Sequence, residues 1–174
     1  MRSSTTFALA LSATLLCGAA QAQAPAPAAV PDQMPFDIPY GPSITADRAA
    51  QIVQAVVAES RKSPRNWKMA VAVVDTNGDL VYFYKMDQTQ VASTLISQAK
   101  ARTAARFRRP TEAFFNGMQT PAGAYLATLD PTLVASHGGI PLIEGGKLIG
   151  AIGCSGGTGV QDAAACKAGA DMIK

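Results

Sequence analysis

The stretch from His137 to Gly159 limits this chain's folding more than any other. It holds most of the chain's fifteen glycines, and the only histidine opens it. It reads as two short strands, Ile140–Glu144 and Lys147–Gly153, joined by Gly145-Gly146, a pair suited to a tight hairpin turn. Glycine inside a strand weakens it, because there is no side chain to pack and more backbone freedom to lose. Such a strand persists mainly where another backbone or a ligand must come close. The run therefore predicts an antiparallel pair with a partly bare face and a lone imidazole at its mouth.

The flanking sequence supplies the other elements. Ser43 or Thr45 can cap a helix beginning near Ala46, and Ala49, Ile52, Val53 and Val56 carry its apolar stripe to about Arg61. Met69–Asp75 and Leu80–Met86 read as a hairpin around Asn77-Gly78. A second helix is expected over Val91–Arg108, with Ala92, Leu95, Ile96, Ala99 and Thr103 facing inward and Phe107 below them; Pro110 stops it. A short helical turn follows from Thr111, and Val160–Ile173 reads as the closing helix. Hairpins with segregated helices predict an α+β domain, one antiparallel sheet of four to five strands with packed helices.

Residues 1–22 read as a secretory signal peptide. Arg2 is the positive start, Phe7–Leu16 the apolar core and Ala20-Gln21-Ala22 the cleavage signal, and the core is too short for a membrane span. The expected location is periplasmic or secreted. Residues 23–42 form a proline-rich arm, whose last part, Met34-Pro-Phe-Asp-Ile-Pro-Tyr-Gly41, is apolar enough to lie along the domain or a neighbouring subunit. Residues 43–174 are the folded domain. The formal charge of +3, one less without Arg2, predicts neither bulk nucleic-acid binding nor membrane attachment. Outside the leader two cysteines remain, Cys154 and Cys166. In an oxidising compartment they read as a disulfide, with two buried free thiols as the alternative.

Several chemistries are set aside. One histidine cannot build a multi-histidine metal site, and the cysteine spacing is not Cys-x-x-Cys. Gly153-Cys-Ser-Gly-Gly-Thr-Gly159 lacks the spacing of a phosphate loop or a dinucleotide fold, and reads as a strand-to-helix turn or an anion-holding one. Lys100, Arg102, Arg106, Arg108 and Arg109 form a run without an acid. It is either a solvated helix face or a carboxylate clamp, for which arginine's fork is suited. His137, with Gly138 and Gly139 beside it, is either a hydrogen-bonded loop residue or an iron ligand that a flat apolar group can approach.

Three segments together resemble a known family. They are Val73-Val-Asp-Thr-Asn-Gly-Asp-Leu-Val-Tyr-Phe-Tyr-Lys-Met-Asp87, then Lys100-Ala-Arg-Thr-Ala-Ala-Arg-Phe-Arg-Arg-Pro-Thr111, then Gly138-Gly-Ile-Pro with Ile149-Gly-Ala-Ile-Gly-Cys-Ser-Gly156 and Gln161-Asp162. In this order they resemble the GlcG/HbpS family of small haem-binding proteins. They are also similar to the C-terminal domain of the propanediol-utilisation type of cobalamin adenosyltransferase. The resemblance covers about Ile44–Ile173. It implies a profilin-like fold, a homo-oligomer and a bound haem or related tetrapyrrole, but no adenosyl transfer. Cys154 and Cys166 are expected to be ordinary apolar positions in that family, which fits export.

The expectation is therefore an exported haem-binding carrier, scavenger or redox-linked sensor. His137 is the axial ligand, Gly138 and Gly139 form the wall, and Arg102 or Arg106 partners the propionates. The alternative is an enzyme, or an enzyme accessory, acting on a small carboxylated metabolite held by the same arginines.

Overall fold

Thr45 starts α1 (Ala46–Arg61): its side chain accepts the Arg48 amide at 3.4 Å, and Asp47 and Arg61 sit at the helix ends where the macrodipole favours them. Ile52, Val53, Val56 and Val57 are buried along one side. The computed structural model describes residues 30–174 except Pro35 and Ser63, so the leader and the first part of the proline-rich arm lie outside the described residues. The chain divides into two units, Met1–Gln33 and Met34–Lys174, and the second carries all the elements below.

Four strands form one sheet in the order β2-β1-β4-β3. They are β1 (Ala70–Val74), β2 (Leu80–Lys85), β3 (Gly139–Glu144) and β4 (Lys147–Ser155), and every neighbouring pair is antiparallel. All of β1 is buried because helices cover both faces. On one face Val71, Val73, Ile152 and Cys154 pack against α1 and α4 (Gly159–Ala170). On the other, Ala72, Val74 and Ala151 meet Ala101, Ala104 and Ala105 of α2 (Ser93–Phe107). The result is the expected α+β arrangement with a single antiparallel sheet and packed helices. Between α2 and β3 lie α3 (Glu112–Met118) and a 3₁₀ turn at Gly123–Thr128, the latter with no sequence signal that marked it.

The inward face of α2 differs from expectation. Leu95 is 74% exposed, Ala92 is exposed, and Ile96, Ala99 and Phe107 are only half-buried. Of the expected stripe only Thr103 is buried; Ser93, Ser97, Lys100, Ala101, Ala104 and Ala105 take the rest of the inner face. The glycines are the reason. A methyl group on Gly153 would stand 2.1 Å from the Ser97 carbonyl oxygen, and one on Gly139 would stand 2.5 Å from that of Lys100. With no side chains between them, helix backbone rests on sheet backbone, and only small inward residues fit.

The Gly153–Gly159 run is a strand-to-helix turn whose groups are used internally. Thr158 and Gln161 make a reciprocal capping box at the start of α4, and the Gly157 amide donates to Asp162 at 2.9 Å. Cys154 and Cys166 are bonded, with α-carbons 5.6 Å apart, tying β4 to α4. The segment after Gln33 lies along the domain. Leu148 donates to the Pro39 carbonyl at 2.9 Å and accepts from the Gly41 amide at 2.7 Å, extending the sheet past the end of β1. Arg109 stacks between Phe36 and Phe114, at 4.5 and 4.3 Å from their centroids, and Arg108 donates to the Ile38 carbonyl at 2.9 Å.

Candidate functional site

β3 is an edge strand, and α4 lies across the sheet beside it. Between them runs an open, mainly apolar groove of about 570 Å³. Pro110, Ile140, Val160, Ala163 and Ala164 supply its apolar walls, Gly138 and Gly139 expose backbone to it, and His137 and Glu112 stand at one end. Its lining residues from α4 recur at three- and four-residue spacing, so one small-residue face of that helix forms the floor. The sequence expectation of His137, Gly138 and Gly139 as neighbours on one surface corresponds to this groove.

His137 is held from three sides. Phe115 lies against the ring at a centroid distance of 4.7 Å and an angle of 58°, and Glu112 Oε1 is 3.7 Å from Nδ1. Both come from α3, three residues apart and so on one face. Gly159 at the start of α4 is the third neighbour: a methyl group there would sit 3.4 Å from His137 Cβ. The imidazole side chain is 18% exposed, while Glu112 faces mostly into solvent.

The loop carrying His137 is fixed by buried polar groups. Thr111 straddles it: its side-chain oxygen accepts the Gly139 amide at 2.9 Å and donates to the Ser136 carbonyl, and its own amide donates to the Gly139 carbonyl at 3.0 Å. Gly138 has φ of +107°, and a methyl group there would strike Asp162 Cβ at 2.8 Å and the Cys154 carbonyl oxygen at 2.9 Å. Behind it, Lys100 Nζ donates to Asp162 Oδ2 at 2.7 Å and to the Cys154 carbonyl at 3.1 Å. Both side chains of that pair are 4% exposed or less. Burial pushes the Asp162 carboxyl above its ordinary value, against the opposing pull of Lys100 and the Gly157 amide.

Arg102 and Arg106 are elsewhere. They flank Gly78 in the β1–β2 turn, where Arg106 donates to the Asn77 carbonyl and pairs with Asp130 at 3.2 Å. In the antiparallel register this turn lies toward the start of β4, whereas His137 lies toward its end. Neither arginine lines the His137 groove of the same chain. Lys100, the first residue of the basic run, is buried in the ion pair. The groove's one lining cation is Lys167, which sequence reading did not single out; its spacing from Val160 along α4 was the available signal. Glu112 and Phe115 carry no local signal either, since only the fold brings them beside His137, and Thr111 is legible in the sequence only as the start of a helical turn. Among the described residues, no three His, Cys, Asp or Glu side chains gather as a metal cluster, and no helix is long and apolar enough to cross a membrane.

Comparison with known proteins places the fold and the family. A family described as "Haem degrading protein HbpS-like" matches residues 44–171. Protein GlcG of Escherichia coli K12 is 36% identical over 107 residues, which is 62% of this chain and 77% of that protein. A double mutant of HbpS from Streptomyces reticuli superposes with a TM-score of 0.70 at 25% identity, over 85% of this chain and 99% of that one. PduOC, solved as a heme complex, shares the fold at a TM-score of 0.68 and 24% identity, over 76% of this chain and 96% of its own. The chain belongs to the HbpS-like family.

Proposed function

We propose that this chain binds haem, or a closely related tetrapyrrole, in the groove between β3 and α4, with His137 as the iron ligand. It would act as an exported carrier, scavenger or redox-linked sensor. The observation that carries this reading is that the chain's one histidine lines an apolar groove that has glycine backbone for a wall. The Glu112 carboxylate lies 3.7 Å from Nδ1, on that side of the ring, which leaves Nε2 for a metal. Phe115 restricts the ring, and the alanine face of α4 offers a flat contact. The groove volume falls within the ~300–1,000 Å³ of small-molecule sites. The family's description, which names haem, supports the same class of ligand.

A bound haem supplies an iron centre capable of electron transfer or of holding a small ligand. The chain's own part is to fix the imidazole, shield one face of the ligand from water and hold its polar end. Export is supported by the leader sequence of residues 1–22 and by the Cys154–Cys166 bond, which suits an oxidising compartment.

Titration of haemin into the protein and into His137→Ala tests the assignment. The native protein should give a saturable, shifted Soret band, and the variant a weaker one or a different iron spin state. Identical spectra and affinities would remove His137 from the site.

A further inference from the structure

The groove has chemical polarity along α4. His137 and Glu112 mark one end, beside Gly159, and Lys167 stands eight residues further along the helix, roughly 12 Å at 1.5 Å per residue. Glu112 repels an anion near the imidazole, so an anionic group on a ligand is better placed toward the other end. There Lys167 Nζ already grips a carboxylate: both oxygens of Asp171, at 2.6 and 2.8 Å. The pair is exposed, with side chains 68% and 60% accessible. An exposed pair of this kind is weak and readily exchanged. Asp171 also follows the last turn of α4, the negative end of the helix dipole, where a carboxylate is unfavourable unless a cation meets it.

We propose that Lys167 is the carboxylate-binding residue of this groove and that Asp171 is an internal competitor, holding Lys167 until a ligand carboxylate replaces it. The inference rests on the tetrapyrrole reading above and gives it a direction. The ligand is a flat apolar body with carboxylates at one edge, which point along α4 toward its C-terminal end. Arg102 and Arg106 take no part within the same chain. Binding exchanges one ion pair for another, leaving Asp171 to solvent, so the gain at Lys167 is modest and its main effect is to orient the ligand.

The test compares haemin with its dimethyl ester, which keeps the ring and iron but lacks the carboxylates. Lys167→Met should weaken haemin about two- to fivefold and leave the ester unchanged. Asp171→Asn should tighten haemin by about two- to threefold, an advantage that shrinks as salt rises. Both positions are exposed, and circular dichroism verifies the fold. If Lys167→Met binds haemin as the native protein does, or loses haemin and ester equally, the carboxylate role is wrong while haem binding stands. If the native protein shows no Soret change with either compound, the functional reading itself fails and this inference falls with it.

Discussion

Replacing Lys100 with methionine should destabilise the domain severely, although Lys100 lies in a run of basic residues that looks like surface. Its ammonium group contacts Asp162 at 2.7 Å and the Cys154 carbonyl at 3.1 Å, and Lys100 is 1% exposed. Lys100→Met leaves a buried carboxylate with only the Gly156 and Gly157 amides for company, and breaking such a pair from one side costs about 3–5 kcal/mol. A domain of this size has an unfolding entropy of about 0.3 kcal/mol per kelvin, so the midpoint should drop by roughly 10–15 °C. Lys100→Met/Asp162→Leu should recover at least half of that loss, because the orphaned charge is gone. The pH dependence has a definite sign. Burial already holds the Asp162 carboxyl above its ordinary 3.8, so the folded chain takes up that proton more readily than the unfolded one. This contribution favours the fold below pH 3.8 and fades as pH rises through the folded value. Without Lys100 the folded value rises further, so the deficit of Lys100→Met should be small near pH 4 and grow toward neutrality. Thermal and urea unfolding between these limits measure it. A loss under about 1 kcal/mol at pH 7, or one indifferent to pH, refutes the argument.

Two further perturbations probe the frame around the groove. Gly153→Ala should cost at least about 1–3 kcal/mol, because its methyl would stand 2.1 Å from the Ser97 carbonyl oxygen and 2.5 Å from the Ala101 amide nitrogen, both main-chain atoms that no rotamer change can move; urea unfolding reads this, and a neutral result would mean that α2 lifts freely from the sheet. Joint Cys154→Ala/Cys166→Ala replacement should lower stability by about 3 kcal/mol for a loop of this length; mass spectrometry of unreduced, alkylated protein checks the bond first, and two alkylated cysteines in exported protein would mean that the pair serves only as packing.

The sequence disclosed elements wherever one face is apolar and the opposite one polar. Ala49, Ile52, Val53 and Val56 mark α1, and the Thr45 cap and Arg61 end match the helix found. Both hairpins were legible from Asn77-Gly78 and Gly145-Gly146. On α2 the apolar period points outward, because it marks the inner face only where side chains fill the space between layers. Opposite Gly139 and Gly153 there is no such space, so serines, alanines and a lysine stem take the inner face while Leu95 turns outward. The candidate site was readable only as far as adjacent residues carried it, through His137-Gly138-Gly139. Glu112 and Phe115 precede His137 by more than twenty residues, and Lys167 follows it by thirty. Their convergence depends on the His137 loop lying between α3 and the start of α4, which local sequence does not encode.

The contact between α2 and the bare strand has a mechanical consequence. The height of a helix above a sheet is usually set by the bulk of the side chains between them, so it drifts as those residues change over evolution. Opposite Gly139 and Gly153 the spacer is main-chain atoms alone, and there its thickness cannot be altered by any substitution short of filling a glycine. The α1/α4 side of the sheet can swap valine for isoleucine or leucine and shift by fractions of an ångström. The α2 side keeps its datum at those two contacts. Lys100 and Thr111, which clamp the histidine loop, both hang from that side, so the groove is referenced to the fold's least adjustable surface and can survive wide divergence elsewhere in the chain.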